Sequence, residues 1–116
     1  MNILIFKKYA INSECIEQCK NLIEKEFSVI FEEHESSYSG QYFRSFFLNS
    51  NLSLFNNYNE IEDHWTEPDF KMLNTILSVS ISGEKKRERL DTDDVLYAKL
   101  TDLNFRLVSS YEKEVN

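Results

Sequence analysis

Apolar and polar positions along the chain fall into short stretches of two-residue and helical period. Asn2–Tyr9 is almost unbroken in apolar residues, which predicts a central strand covered on both faces. Ile16, Cys19, Ile23 and Phe27, with Leu22 beside them, recur at helical spacing. They predict a helix from about Ser13 to Glu26, capped by Asn12 or Ser13, with Glu14 and Glu17 at its positive end. Val29 and Phe31 against Ile30 predict a strand over Ser28–His34. Glu35–Gly40 reads as a turn, with Gly40 as the residue that tolerates positive φ. Gln41–Leu48 and Leu52–Phe55 read as a hairpin joined through Asn49-Ser50-Asn51.

Regular periodicity disappears from Asn56 to Met72, a segment long for a loop in a compact domain, and such loops often carry function. Beyond it, Leu77, Val79 and Ile81 alternate with Ser78 and Ser80, a half-buried strand over Thr75–Ile81. Gly83 ends it, and Glu84–Arg89 reads as an exposed charged connection. Asp91 or Thr92 is expected to cap a second helix, with Asp93 and Asp94 in its first turn and Val95, Leu96, Lys99, Leu100 and Leu103 along one side. Phe105–Tyr111 supplies a last strand. The order β-α-β-β-β-β-α-β predicts one α+β domain over residues 1–116: a two-layer sandwich, with a mostly antiparallel sheet of about six strands and two helices. Its β-α-β crossings are expected to be right-handed if their strands run parallel in one sheet.

Composition narrows the class. At 41% apolar and 14% aromatic residues, the chain is too hydrophobic for intrinsic disorder. Two cysteines make no disulfide framework, and no apolar run reaches the roughly 20 residues of a membrane span. The opening MNILIFKKY lacks the arrangement of a secretory signal, so a cytoplasmic location is expected. Charge adds more. Between Glu26 and Asp69 nine acids stand against Arg44 alone, whereas the remaining residues carry eleven acids and twelve bases, so the whole excess of the −7 net charge lies in one stretch. Such a field repels phosphate backbones and anionic membranes and attracts a basic protein.

Catalytic equipment is sparse. Cys15 and Cys19 share a helix face at i, i+4, but a structural zinc site needs four ligands, and His34 and His64 are not spaced to supply the rest. With only two glycines and no Gly-x-Ser-x-Gly elbow, phosphate loop or calcium loop, no cofactor and no metal are expected. His34 lies between Glu33 and Glu35, and His64 between Asp63 and Trp65, so a small enzyme or ligand-binding domain using either imidazole is one alternative. The aperiodic segment offers different chemistry. Tyr58, Trp65 and Phe70 are interleaved with Glu60, Glu62, Asp63, Glu67 and Asp69, which is the aromatic-and-rim composition of a protein interface. The turn with Tyr38, and the acids Glu32, Glu33 and Glu35 before it, would extend that surface if both segments lie at one end of the sheet.

The opening MNILIFKKYAINSECIEQCKNLI, the segment YSGQYFRSFFLNSNLSLFNNYNEIED and the strand NTILSVSIS, in a small, acidic, glycine-poor α+β chain, resemble the immunity proteins of bacterial contact-dependent growth inhibition. The resemblance covers most of the chain as a layout and no diagnostic motif. It implies a specific complex with one cognate toxin C-terminal domain, often a nuclease, which is basic because it holds phosphates. The partner-binding residues expected from charge and aromaticity are Glu32, Glu33, Glu35, Tyr38, Tyr58, Glu60, Glu62, Asp63, Trp65, Glu67 and Asp69. A further alternative is a structural or regulatory subunit of a phage or secretion assembly.

Overall fold

The protein, described by a computed structural model over residues 2–38 and 40–115, is an α+β domain whose six-stranded sheet carries two helices. Ser39 of the expected turn and Met1 of the expected start lie outside the described residues. The elements are β1 (Asn2–Ile11), α1 (Ile16–Phe27), β2 (Glu32–Ser36), β3 (Gly40–Phe47), β4 (Ser50–Asn56), β5 (Tyr58–Asn59), β6 (His64–Trp65), a 3-10 turn at Pro68–Phe70, β7 (Thr75–Ile81), α2 (Lys86–Asp102) and β8 (Arg106–Val115). The sheet order is β2-β3-β4-β7-β1-β8, and every neighbouring pair is antiparallel. Each helix therefore links two strands that run parallel without touching: β1 to β2 through α1, and β7 to β8 through α2.

Register divides the sheet into two faces. Tyr9 opposite Leu77, Leu77 opposite Leu54 and Leu54 opposite Phe43 lie on the face that packs on the helices. There they meet Ile16, Cys19, Ile23 and Phe27 of α1 and Leu96 and Leu100 of α2 in one buried cluster. The alternate positions form the other face, which no helix covers. β1 is thus roofed on its second face only at its upper end, where Ala10 is fully buried, while Phe6 is half-buried and stacked on Tyr111 at 5.1 Å.

Four expected boundaries move, the two helix starts because polar residues serve tertiary contacts instead of local ones. Neither Asn12 nor Ser13 caps α1, which starts after Cys15. The Ser13 amide donates to Asn74 Oδ1 at 2.9 Å, the Ser13 carbonyl accepts from Asn74 Nδ2 at 2.8 Å, and the Ser13 hydroxyl lies 2.8 Å from that of Thr75. Likewise α2 begins at Lys86, five residues before the expected cap, so Lys86–Arg89 is helix and Asp91, Thr92, Asp93 and Asp94 are interior. Thr92 donates to the side-chain oxygen of Asn49, Arg89 Nη1 donates to the Gly83 carbonyl at 2.6 Å, and Asp93 faces Lys7 at 2.7 Å. The buried stripe of α2 is therefore Arg89, Thr92, Leu96 and Leu100. The strand expected over Ser28–His34 starts at Glu32, because Ser28 takes the left-handed cap of α1 and the Phe31 amide is held 2.8 Å from the Glu24 carboxylate. Finally, the β3–β4 turn is Leu48-Asn49, with Leu48 at φ 52, so Ser50 and Asn51 belong to β4.

Candidate functional site

The uncovered face is built in rows. One row runs Glu32, Arg44, Ser53, Ser78, Lys8, Ser109 across the sheet, and above it lie His34 and Tyr42, then Phe55, Ile76, Ala10 and Arg106. Strand alternation sends the hydroxyl and aromatic side chains of these strands to this face because their apolar partners fill the other.

Over the upper end of the face folds the segment between β4 and β7, the one that lacks periodicity. Its organiser is Asn57, fully buried. The Asn57 side-chain nitrogen lies 3.3, 3.1 and 2.9 Å from the carbonyls of Glu67, Phe70 and Leu73, and its oxygen accepts from the Glu67 amide at 2.8 Å. Its backbone N–H donates to the Asn74 carbonyl and its backbone C=O accepts from the Thr66 amide. One amide side chain thus replaces the ladder that an irregular segment lacks. From this hub the small hairpin β5–β6 projects, with Tyr58 and Trp65 paired at 5.1 Å between ring centres. Asn59 closes its tip: the side-chain oxygen accepts from the Ile61 and Glu62 amides at 3.0 and 3.1 Å, and the side-chain nitrogen donates to the Tyr38 carbonyl at 2.9 Å. Gly40, at φ +69, lies where an added Cβ would meet Ile61 at 3.2 Å. The β2–β3 turn and the hairpin are therefore in contact at one end of the sheet.

Between them lies a groove of about 520 Å³, floored by Tyr42, Ser53, Phe55 and Ser78 and walled by Ser36, Tyr38, Asn56, Asn59, Glu62, His64 and Thr66. Its volume falls in the range of ligand clefts. His64 Nδ1 is 3.8 Å from the Glu62 carboxylate. The Tyr58 hydroxyl donates to Asp63, and this bond to a carboxylate, ahead of the small effect of burial, raises the Tyr58 pKa above the ordinary phenol value.

Of the residues expected from sequence, Tyr38, Tyr58, Glu60, Glu62, Asp63 and Trp65 come together around the hairpin and the groove. Glu32, Glu33 and Glu35 lie along the edge strand β2 instead, Glu32 toward the open face and the other two toward the helix face. Glu67 and Asp69 lie at the other end of the segment, and Glu67 is already matched by Lys8 at 3.4 Å. Among the described residues, Glu60, Glu62, Asp63 and Asp69 have no Lys or Arg nitrogen within 4 Å. Trp65 and Phe70 are half-buried, with Lys71 over the first ring and Arg106 over the second at 5.7 and 5.0 Å. His34 stands apart, stacked on Tyr42 at 5.4 Å and absent from the groove lining.

Sequence reasoning missed Tyr42, Ser53, Phe55 and Thr66 as groove residues. The alternation of β7 exposed Ser78, but nothing in the aperiodic segment showed where it would fold. No three His, Cys, Asp or Glu side chains among the described residues are grouped as a metal site requires. Cys15 is exposed and Cys19 buried, and burial pushes the Cys19 thiol up to about 12. No helix among the described residues is long and apolar enough to cross a membrane. No family model matches the chain, and no curated protein matches its sequence.

Proposed function

We propose that this chain is an immunity-type inhibitor that binds and neutralises a basic toxin domain, with the β5–β6 hairpin and the β2–β3 turn as its docking end. The observation that carries this role is the convergence of Tyr38, Glu60, Glu62 and Asp63 beside a ring-floored groove, with no lysine or arginine nitrogen within 4 Å of these carboxylates among the described residues. Exposed rings beside uncompensated carboxylates suit a cationic protein: the rings supply desolvated area and the carboxylates supply steering and register. A nuclease-type partner fits that chemistry, because a surface made to hold phosphates is the complement of this one. The test is co-purification with the product of the adjacent upstream gene, followed by charge reversal at Glu60, Glu62 and Asp63. Loss of capture in the triple variant supports the role, and unchanged capture with unchanged salt dependence rejects the surface.

One observation favours a second reading. His64 and Glu62 both line a groove of ligand size, so a small-molecule-binding domain is the competing role. It predicts that a His64→Gln variant loses a small ligand while still capturing any protein partner.

A further inference from the structure

The groove itself has a chemical preference. Its lining carries one carboxylate, Glu62, and neither lysine nor arginine. Two bases stand in the row below the floor: Lys8 Nζ is 3.4 Å from Glu67, and Arg44, in register with Glu32 on the neighbouring strand, is exposed. The floor presents two flat rings, Tyr42 and Phe55, side by side on β3 and β4, with the hydroxyls of Ser53 and Ser78 one row below. Asn59 adds no free acceptor, because its side-chain oxygen is already bonded to two backbone amides.

We infer that this groove receives the guanidinium of a single arginine carried on a loop of the basic protein partner, with Glu62 as counter-ion and Tyr42 and Phe55 as the stacking floor. A guanidinium is planar, offers five N–H donors and is weakly hydrated, so it stacks on a ring while its edge meets a carboxylate and nearby hydroxyls. A lysine ammonium is a compact, strongly hydrated point charge that can sit over a ring but has no planar face to stack on it, so it covers less of a flat aromatic floor. An anionic group would face Glu62 with no lysine or arginine in the lining, where the one imidazole, His64, already lies 3.8 Å from that carboxylate. This inference rests on the proposed docking role and adds to it the identity of the anchoring side chain.

The experiment titrates the full chain, labelled with ¹⁵N, with N-acetyl-arginine amide, its lysine counterpart and inorganic phosphate. The arginine probe is expected to shift the amides of Tyr42, Phe55, Glu62 and His64 and to bind several-fold more tightly than the lysine probe. Glu62→Gln, a change at an exposed hairpin position that leaves Asn57 and the sheet untouched, is expected to weaken the arginine probe about tenfold, the value of a lost charge-assisted pair. Equal lysine binding, stronger phosphate binding at the groove, or an unaffected Glu62→Gln variant overturns the inference. Capture of the basic partner separates this failure from failure of the role. If Glu60→Lys abolishes capture while Glu62→Gln and Tyr42→Leu leave it intact, the arginine anchor is wrong and the docking end stands. If none of the three matters, both are wrong.

Discussion

Asn57 shows how one side chain substitutes for missing secondary structure. It is fully buried and bonds the carbonyls of Glu67, Phe70 and Leu73, the first two of which also accept from the Phe70 and Leu73 amides. Replacing it with alanine takes the side-chain partner from the Leu73 carbonyl and the Glu67 amide, which is expected to cost about 2–4 kcal/mol, read by urea denaturation. The same variant should accelerate amide exchange at Thr66 and Glu67, whose N–H groups are bonded to Asn57. Tyr9 presents the opposite case. Its ring is fully buried in the core, yet its hydroxyl finds no hydrogen-bond partner among the described residues. Burial first, then the nearby Asp93 and Tyr97, pushes its pKa well above the usual phenol value. The consequence for stability has a definite sign. With the folded value raised, the stabilisation is complete below about pH 10, the unfolded phenol value, and drains away as pH climbs beyond it. Cys19 acts in the same direction from about pH 9, the ordinary thiol value, to about 12. Tyr9→Phe is therefore expected to be neutral or stabilising by up to about 1 kcal/mol at pH 7 and to flatten the alkaline limb of a stability–pH curve. A steep loss at pH 7 in that variant would mean that the hydroxyl has a partner after all.

Among the elements, β7 was legible to the residue, because Leu77, Val79 and Ile81 are buried and alternate with the half-buried Ser78 and Ser80. The element order and the six-stranded sheet were likewise carried by periodicity alone. The start of α2 was not. Asp91, Thr92, Asp93 and Asp94 look like a cap and first turn, but a cap residue and a residue making a buried tertiary hydrogen bond have the same chemistry. Thr92 is bonded to Asn49 and Asp93 to Lys7, contacts that sequence spacing does not disclose. The shift also reorders the apolar face: Leu96 is fully buried, whereas Val95, expected beside it, is 37% exposed. Leu96→Ala is accordingly expected to cost about 2–5 kcal/mol and Val95→Ala under about 1 kcal/mol, a contrast that thermal unfolding of the two variants resolves. The docking end was half legible. Aromatic and acidic interleaving identified the hairpin residues, while their seat over the sheet depends on Asn57 and Asn59, which composition does not distinguish from other loop asparagines.

At the scale of the whole molecule, the carboxylate excess of residues 26–69 is distributed over four places. Part lies on the β2 edge, part on the hairpin, and part at the base of the segment, where Lys8 takes up Glu67. Glu26, the first acid of the stretch, is near Lys99 at 3.9 Å on the helix side. The molecule therefore has an acidic corner where β2 and the hairpin meet, not an acidic hemisphere. That distinction has a kinetic signature. Long-range attraction depends on summed charge and is screened over about 8 Å at physiological salt, whereas contact pairs and ring burial survive screening. For a basic partner docked at this corner, raising salt from about 50 to 500 mM should slow association by one to two orders of magnitude and leave dissociation within a few-fold. Reversing Glu32 and Glu35, exposed on the edge strand away from the groove, should reproduce the slow association at low salt with dissociation unchanged. Removing the Trp65 ring should do the reverse, because its effect lies in the packed hairpin rather than in the field. Stopped-flow association and surface-plasmon dissociation rates separate the two, and a partner whose association ignores both salt and the edge-strand reversals would place the interface on another part of the molecule.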